Sequence, residues 1–477
     1  MKMLSFGVKK NYDLDLMVIG GGSAAFATAI RAAEIGARVG IAEAGVIGGT
    51  CLNRGCLPTK NLLYAAARYH LYSKNSFPGL PHGSDPLNFP ALIQQKDELV
   101  QEMRKQKYLD VLEAFPSIRY FPQRARFLSE RRVRVGDEEI SAEKFLIATG
   151  AAPVIPPIAG LEPSGYITYK ESLELKKLPE SMVVIGGGAI GLEIGQMYAR
   201  FGTRVVILEA LNRIAPGEEP EISDALKKYL SEEGIEIVNN AQVTRVEVGL
   251  GGEKRVSAEV DGASVKYCGE QLLVATGLRP NTEDIGLDKV GVKRTPQGSV
   301  IVNDELRTTA PHVWAAGDVT GRMMLVTVAA YEGALAAENA VLNRHDKMRY
   351  DAVPHAIFTS PGVASVGLKE EAARSLGKKV LTTVVPFGNV PKAGAIRDTR
   401  GLIKMVVDAK DYTILGVHIL NDAAPDLIHL GVLAIQNKMT VGDIIRTVFV
   451  YPTLAEAFKI AAISFQKDVT KLSCCAA

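Results

Sequence analysis

Residues 14–45 read LDLMVIGGGSAAFATAIRAAEIGARVGIAEAG. An apolar run enters a glycine-rich turn at Gly20, Gly21 and Gly22, an alanine-rich helical stretch follows to about Gly36, and a second apolar run ends on Glu43. This is the sequence of a complete βαβ dinucleotide unit. Gly20 makes the tight turn, Gly22 lets the backbone meet a pyrophosphate at the helix N-terminus, and Ala25 lets helix and strand pack closely. Glu43 falls where the hydroxyls of a ribose need an acceptor. The pattern returns in MVVIGGGAIGLEIGQMYARFGTRVVILE, with Gly186, Gly188 and Gly191 in the tight positions and Glu209 closing the second strand. Gly20 to Glu43 and Gly186 to Glu209 have the same separation. KFLIATG, with Thr149 and Gly150, matches QLLVATG, which ends at Gly277. The chain therefore carries two dinucleotide modules.

Directly after the first module stands GGTCLNRGCLPTK, residues 48–60. Gly48 and Gly49 permit close backbone approach, and a helix opening at Thr50 puts its positive end near the thiols, which favours thiolate. Lys60 lies four residues beyond Cys56, on the same helical face. Cys51 and Cys56 so placed can alternate between dithiol and disulfide beside a planar electron acceptor. A structural disulfide or two buried thiols would fit the bare pair equally well.

The 477 residues exceed one core and predict about three domains. Lys+Arg number 55 against Asp+Glu 53, with no long basic run, so neither nucleic acid nor an anionic membrane surface is an expected partner. No apolar run approaches the ~20 residues that cross a bilayer, and the N-terminus lacks the layout of a secretory signal. A soluble cytoplasmic protein is expected. Five cysteines in so long a chain do not make a disulfide scaffold, which directs attention to redox or metal chemistry.

Helical stretches are expected around residues 61–72 and 92–115, and charged hairpin signals near 131–139. Residues 313–319, VWAAGDV, supply another apolar strand ending in Gly317 and Asp318. Asp318 is read as a ligand for a flavin's ribityl chain, against the plainer role of cap or turn residue. From Tyr350 onward alternating strands and helices form an α+β module with no nucleotide signature. Cys268 is expected to be a core thiol. Met323 and Met324 are read as packing residues, and the seven histidines show no metal-ligand spacing.

Taken together, these pieces resemble the flavoprotein disulfide reductases over nearly the whole chain, and GGTCLNRGCLPTK is the most specific of them. The resemblance implies an α/β fold with two Rossmann-like dinucleotide-binding domains plus an α+β C-terminal dimerisation domain. The expected boundaries are residues 1–155 and 281–348 for FAD, 156–280 for NAD(P), and 349–477 for the dimerisation domain. The same resemblance implies FAD held by Gly20, Gly22, Ala25, Glu43, Gly49, Thr50, Lys60, Thr149, Gly150, Gly317 and Asp318. NAD(P)H falls to Gly186, Gly188, Gly191, Glu209 and Gly277. Cys51 would exchange with substrate, Cys56 would sit against the flavin, and Lys60 would tune it. A homodimer with active sites shared between subunits follows.

Family members that reduce organic disulfides carry a His-Pro stretch followed by a Glu near the C-terminus, where this chain has Tyr451, Pro452 and then Glu456. A positioned imidazole is worth about 10²–10⁴-fold in rate when a thiolate leaving group must be protonated. A phenol with a pKa of about 10 replaces it poorly. Tyr451 and the terminal SCC, with Cys474 and Cys475, resemble the mercuric reductase branch of the family. Hg(II) is a soft cation that prefers two thiolates. The resemblance implies that Cys474 and Cys475 of one subunit take Hg(II) from small thiols and pass it to Cys51 and Cys56 of the other, with Tyr451 lining the site. A core-packed Tyr451 is the plainer alternative, and CCAA formally fits a prenylation motif without a polybasic stretch before it. A disulfide reductase and a metal-sequestering protein are the competing functions. The FAD fingerprint begins almost at once, so the N-terminal metal-binding domain carried by many members of the mercuric reductase branch is not expected in this chain. Glu209 should repel a 2′-phosphate, favouring NADH although the family's usual donor is NADPH; Arg213 could still reach that phosphate. Ala189 stands where relatives often carry an aromatic lid over the flavin.

Overall fold

A computed structural model describes residues 12–471 and 473. The chain divides into two compact units. The first comprises the chain up to Pro58 with Gln95–Val154 and Leu278–Arg349; the second comprises Thr59–Gln94, Ile155–Gly277 and the chain from Tyr350.

The first unit is built on the opening βαβ. Strand Leu14–Ile19 pairs in parallel with Val39–Ala42 on one side and Glu138–Ile147 on the other, and Ile118–Phe121 extends the sheet beyond Val39–Ala42. The Gly317–Asp318 strand, Val313–Ala315, runs parallel to Glu138–Ile147. Because both faces are covered, the central strands read as unbroken apolar runs: Leu16, Met17 and Val18 are all fully buried. Helix Ser23–Glu34 crosses helix Val326–Leu342 at Gly333, whose absent Cβ would lie 2.3 Å from the Ala24 carbonyl oxygen. The Thr28 hydroxyl lies 2.7 Å from Ala24 O and 2.9 Å from Gly333 O, so it fills the crossing with a polar group that is satisfied. The charged hairpin expected near 131–139 forms from Arg132–Val135 and Glu138–Ile147.

The second unit repeats the design. Strands Glu236–Val238, Arg204–Leu208, Ser181–Ile185 and Gln271–Val274 make a parallel sheet around helix Ala189–Phe201. A three-stranded antiparallel meander, Ala241–Val248, Lys254–Val260 and Ala263–Gly269, adjoins it. Cys268 lies on the last of these strands, as its context predicts, but it is exposed and not a core thiol. The strand alternates and Val265 and Tyr267 take the more covered face, which turns Cys268 outward. The C-terminal α+β part is a five-stranded antiparallel sheet in the order His355–Ile357, Val363–Gly367, Ile414–Leu420, Leu402–Asp408, Val380–Pro386. Helices Ala424–Gln436 and Glu456–Ile463 pack their apolar sides on it, burying Ile428, Ala434, Phe458 and Ala461. No helix among the described residues is long and apolar enough to cross a membrane.

Candidate active site

The two glycine turns are near copies. Gly20 has φ +120° and Gly186 φ +111°. A Cβ at Gly20 would sit 2.2 Å from Ala148 O, and one at Gly186 would sit 2.4 Å from Ala275 O, so only glycine fits either turn. Gly22 and Gly188 cap the helices that follow, leaving backbone N–H groups at positive helix ends. Space beside Gly188 is open, since a Cβ there would meet nothing within 4 Å. Glu43 accepts the Gly21 N–H at 2.6 Å and the Gly45 N–H at 2.7 Å. Glu209 accepts the Gly187 and Leu211 N–H groups at 2.7 and 2.8 Å.

In the first unit the cysteine segment leaves straight from this turn. The Gly48 N–H donates to Gly21 O at 2.9 Å, and a Cβ on Gly49, at φ +65°, would stand 2.6 Å from Gly22 Cα. Two helices form here, Gly49–Arg54 carrying half-buried Cys51 and Cys56–Ser73 opening on exposed Cys56. Gly55 makes the corner. Cys56 is thus at the positive end of an 18-residue helix, where negative charge is stabilised. Asn53 fixes the short helix by donating to Ile47 O at 3.0 Å and Gly49 O at 2.9 Å, while Arg104 donates to its Oδ1 at 2.8 Å.

Residue spacing pointed to none of Asn53, Arg104 or Tyr108. Tyr108 lies in a π-helical turn, Lys105–Leu109, and its ring meets Phe26 edge-on at 4.6 Å. Burial pushes its phenol up, a hydrogen bond with Ser23 opposes that, and the charge of Cys51 pushes it up again. Just past the end of strand Glu138–Ile147, Thr149 donates to Asn281 O at 2.6 Å, and Asn281 returns a bond to Thr149 O at 3.0 Å. Gly317 N–H donates at 2.6 Å to Glu332, a fully buried carboxylate that sequence reading also passed over. Beside it, burial pushes the Asp318 carboxyl up.

In the second unit Lys60 pairs with buried Glu193 at 2.7 Å and lies 4.4 Å above the Phe358 ring; the other Glu193 oxygen accepts the Phe358 N–H at 2.9 Å. Gly191 packs against its own turn, a Cβ there falling 2.0 Å from Gly186 O. Gly277, at φ +114°, ends the loop after Gln271–Val274. Tyr451 is 48 % exposed, between Val450 and Pro452. Glu456 accepts the Thr453 N–H at 3.1 Å and opens the last long helix. Cys474 and Cys475 lie outside the described residues.

Residues 14–333 match the pyridine nucleotide-disulphide oxidoreductase model, and 353–462 match the dimerisation domain of the same name. The chain belongs to the pyridine nucleotide-disulphide oxidoreductase family. It is 43% identical over 466 residues to a mercuric reductase of Lysinibacillus sphaericus, covering 98% of this chain and 85% of that one. A Streptomyces lividans mercuric reductase is 41% identical over 468 residues, 97% of this chain and 98% of its own. Among solved structures, the Cu(II) complex of RclA, an HOCl-induced flavoprotein disulfide reductase of Escherichia coli, superposes with a TM-score of 0.84. It has 30% identity and covers 95% of this chain and 100% of its own.

As a pyridine nucleotide-disulphide oxidoreductase the chain is an FAD-dependent enzyme linked to NAD(P)H. The geometry fits both groups. Each turn is a cradle that a side chain would fill, each offers helix-end N–H groups to a pyrophosphate, and each ends in a carboxylate at the ribose position.

Proposed function

We propose that this enzyme reduces Hg(II), carried as a thiolate complex, to Hg(0). The reading is supported above all by the coincidence of near-full-length similarity to mercuric reductases with a cysteine pair set on a corner of two helices against the first glycine turn. Tyr451, standing where disulfide-reducing relatives keep a catalytic histidine, favours a substrate whose leaving thiolates need no positioned acid.

Cys51 and Cys56, as thiolates, each displace one ligand from Hg(SR)₂, a one-for-one exchange that conserves charge. FAD, when bound, supplies the route by which the electron pair of NAD(P)H reaches the metal. Overall Hg(SR)₂ and NAD(P)H give Hg(0), NAD(P)⁺, one thiolate and one thiol, the hydride hydrogen ending as the thiol proton. The chain's own residues hold the geometry: Asn53 and Arg104 fix the helix of Cys51, and Glu193 holds the Lys60 ammonium. The Tyr108 hydroxyl, hydrogen-bonded to Ser23, would line the path of the metal.

Cys474 and Cys475 of one subunit would deliver Hg(II) to Cys51 and Cys56 of the other, with Tyr451 and Glu456 at the shared site of a homodimer. A cytoplasmic setting, where thiols stay reduced, suits both pairs. The domain limits at 155, 280 and 348 belong to the same proposal.

The test is NAD(P)H oxidation and Hg(0) release by the FAD-loaded enzyme with Hg(II) and excess small thiol. Cys51→Ala or Cys56→Ala should abolish both, and the double variant Cys474→Ala/Cys475→Ala should slow them at high thiol. Fast turnover of oxidised glutathione or lipoamide without Hg(II), or Hg(0) release that survives Cys51→Ala, would overturn the proposal.

A further inference from the structure

Four polar residues stand in one row across four strands of the C-terminal sheet. His355 lies opposite Ser365, Ser365 opposite His418, and His418 opposite Lys404, so all four share one face. Ser365, His418 and Lys404 are buried, and buried polar groups need partners. Two consecutive buried carboxylates supply them, Glu218 and Glu219, just ahead of helix Pro220–Glu232. Glu218 takes His355 at 2.7 Å and the Ser365 hydroxyl at 2.5 Å; Glu219 takes Lys404 at 3.1 Å and the Glu370 N–H at 2.6 Å.

From Glu218 a chain of hydrogen bonds leads to the second glycine turn. The Glu218 N–H donates to Ala215 O at 2.9 Å, the Ala215 N–H donates to Gly187 O at 2.8 Å, and the Gly187 N–H donates to Glu209 at 2.7 Å. Ala215 has φ +43°, a left-handed conformation that alanine rarely adopts, and the Ser223 hydroxyl also donates to its oxygen, at 3.1 Å. Fully buried Ile214 fills the space that a Cβ on Gly187 would need. A strained residue keeps its shape only where the surroundings fix it. We propose that Glu218 is a positioning residue for the nicotinamide nucleotide: seated by His355 and Ser365, it holds Ala215 in the left-handed form and so keeps the Gly186–Gly188 turn in the shape that receives the nucleotide.

The seat is strongest while His355 carries its proton. The Glu218 bond raises that imidazole above 6.5, against burial and the Lys369 charge. Above pH 6.5 Glu218 is ionised, His418 is neutral because burial lowers it, and Lys404 keeps its charge. His355 is then the member of the row whose charge changes, so nucleotide affinity falls as pH rises through its raised value.

The inference rests on the second turn being the nicotinamide site and not on Hg(II) as substrate. Amide hydrogen exchange of the FAD-loaded full chain, with and without NAD⁺ or NADP⁺, separates the two steps. Nucleotide should slow exchange in residues 185–190; no protection there would overturn the placement and the proposal with it. Without nucleotide, Glu218→Gln should speed exchange in residues 185–190 and 210–219 by at least about threefold. Ser365→Ala, which removes one bond to Glu218 and no charge, should act in the same direction and serves if Glu218→Gln does not fold. Calorimetric titration with NAD⁺ and NADP⁺ gives the pH profile: between about pH 6.5 and about pH 9 the wild type should lose about fivefold more affinity than His355→Gln. Taking the difference removes the nucleotide's own titration. Identical pH profiles in the two proteins, or unchanged exchange in the turn of the folded variants, would overturn the proposal.

Discussion

The residues that matter most here are those whose charge or hydroxyl is placed by something distant in sequence. Tyr108 lies more than fifty positions from Cys51, in a π-helical turn that shifts the helix face by one residue and so presents the phenol to Ser23. Tyr108→Phe removes that hydrogen bond at a cost of about 1 kcal/mol. Hg(0) release should fall by roughly tenfold, as for loss of one positioned polar group. Flavin content should stay unchanged; equal turnover in the variant would remove Tyr108 from the site. Its absence from the sequence reading has a plain cause: KQKYLDVLEA reads as an ordinary amphipathic helix, and nothing in it announces a π turn. Glu193 was hidden the same way. In AIGLEIG it looks like one polar residue on a core helix, and only the tertiary contact with Lys60 and the Phe358 N–H gives it a task.

At the scale of elements, the crossing of Ser23–Glu34 over Val326–Leu342 depends on Gly333. A methyl group 2.3 Å from Ala24 O forces the helices apart. Gly333→Ala is expected to cost about 1–3 kcal/mol by overpacking. It should also loosen FAD, since the same first helix starts at Gly22 and the same last helix holds Glu332 under Gly317. Urea midpoints and flavin retention on dilution measure the two effects, and an unchanged midpoint would show that the crossing relaxes freely. The βαβ units themselves were readable because their strands, turns and helix caps are local and periodic. The break at Gly55 was missed although Asn53, Gly55 and Pro58 are residues that end and restart helices; a Cβ at Gly55 would lie 2.9 Å from Thr50 O.

Across the whole molecule, the second unit joins its nucleotide module to the C-terminal sheet through buried charge. Lys404, 2% exposed, meets Glu219, Glu221 and Glu370 at 2.9–3.1 Å, and His355 meets Glu218 at 2.7 Å with Ser365 on its other oxygen. Burial pushes the Glu218 carboxyl up, but His355 and Ser365 outweigh it and hold it below 4.5. The Glu218 bond raises His355 above 6.5 against burial and Lys369. The carboxylate's contribution is present above 4.5 and lost as pH falls through its depressed value; the imidazolium's is present below 6.5 and lost as pH rises through its raised value. Buried His418, lowered mainly by burial, adds stability above 6.5 that is lost in acid. The stability difference between wild type and Glu218→Gln, from urea unfolding at each pH, should therefore be largest between 4.5 and 6.5 and shrink on both sides. A difference flat with pH would mean that the pair is not ionised. The sequence by itself determined the two dinucleotide modules, the cysteine pair, the α+β C-terminal part and the family they resemble, because glycine turns, strand periodicity and thiol spacing are properties of neighbouring residues. Only the tertiary structure decided that Cys268 faces outward, that Tyr451 is exposed, that Glu193 pairs with Lys60, that Glu332 accepts the Gly317 N–H and that Tyr108 packs on Phe26, because burial and charge pairing depend on residues that meet only when the chain has folded.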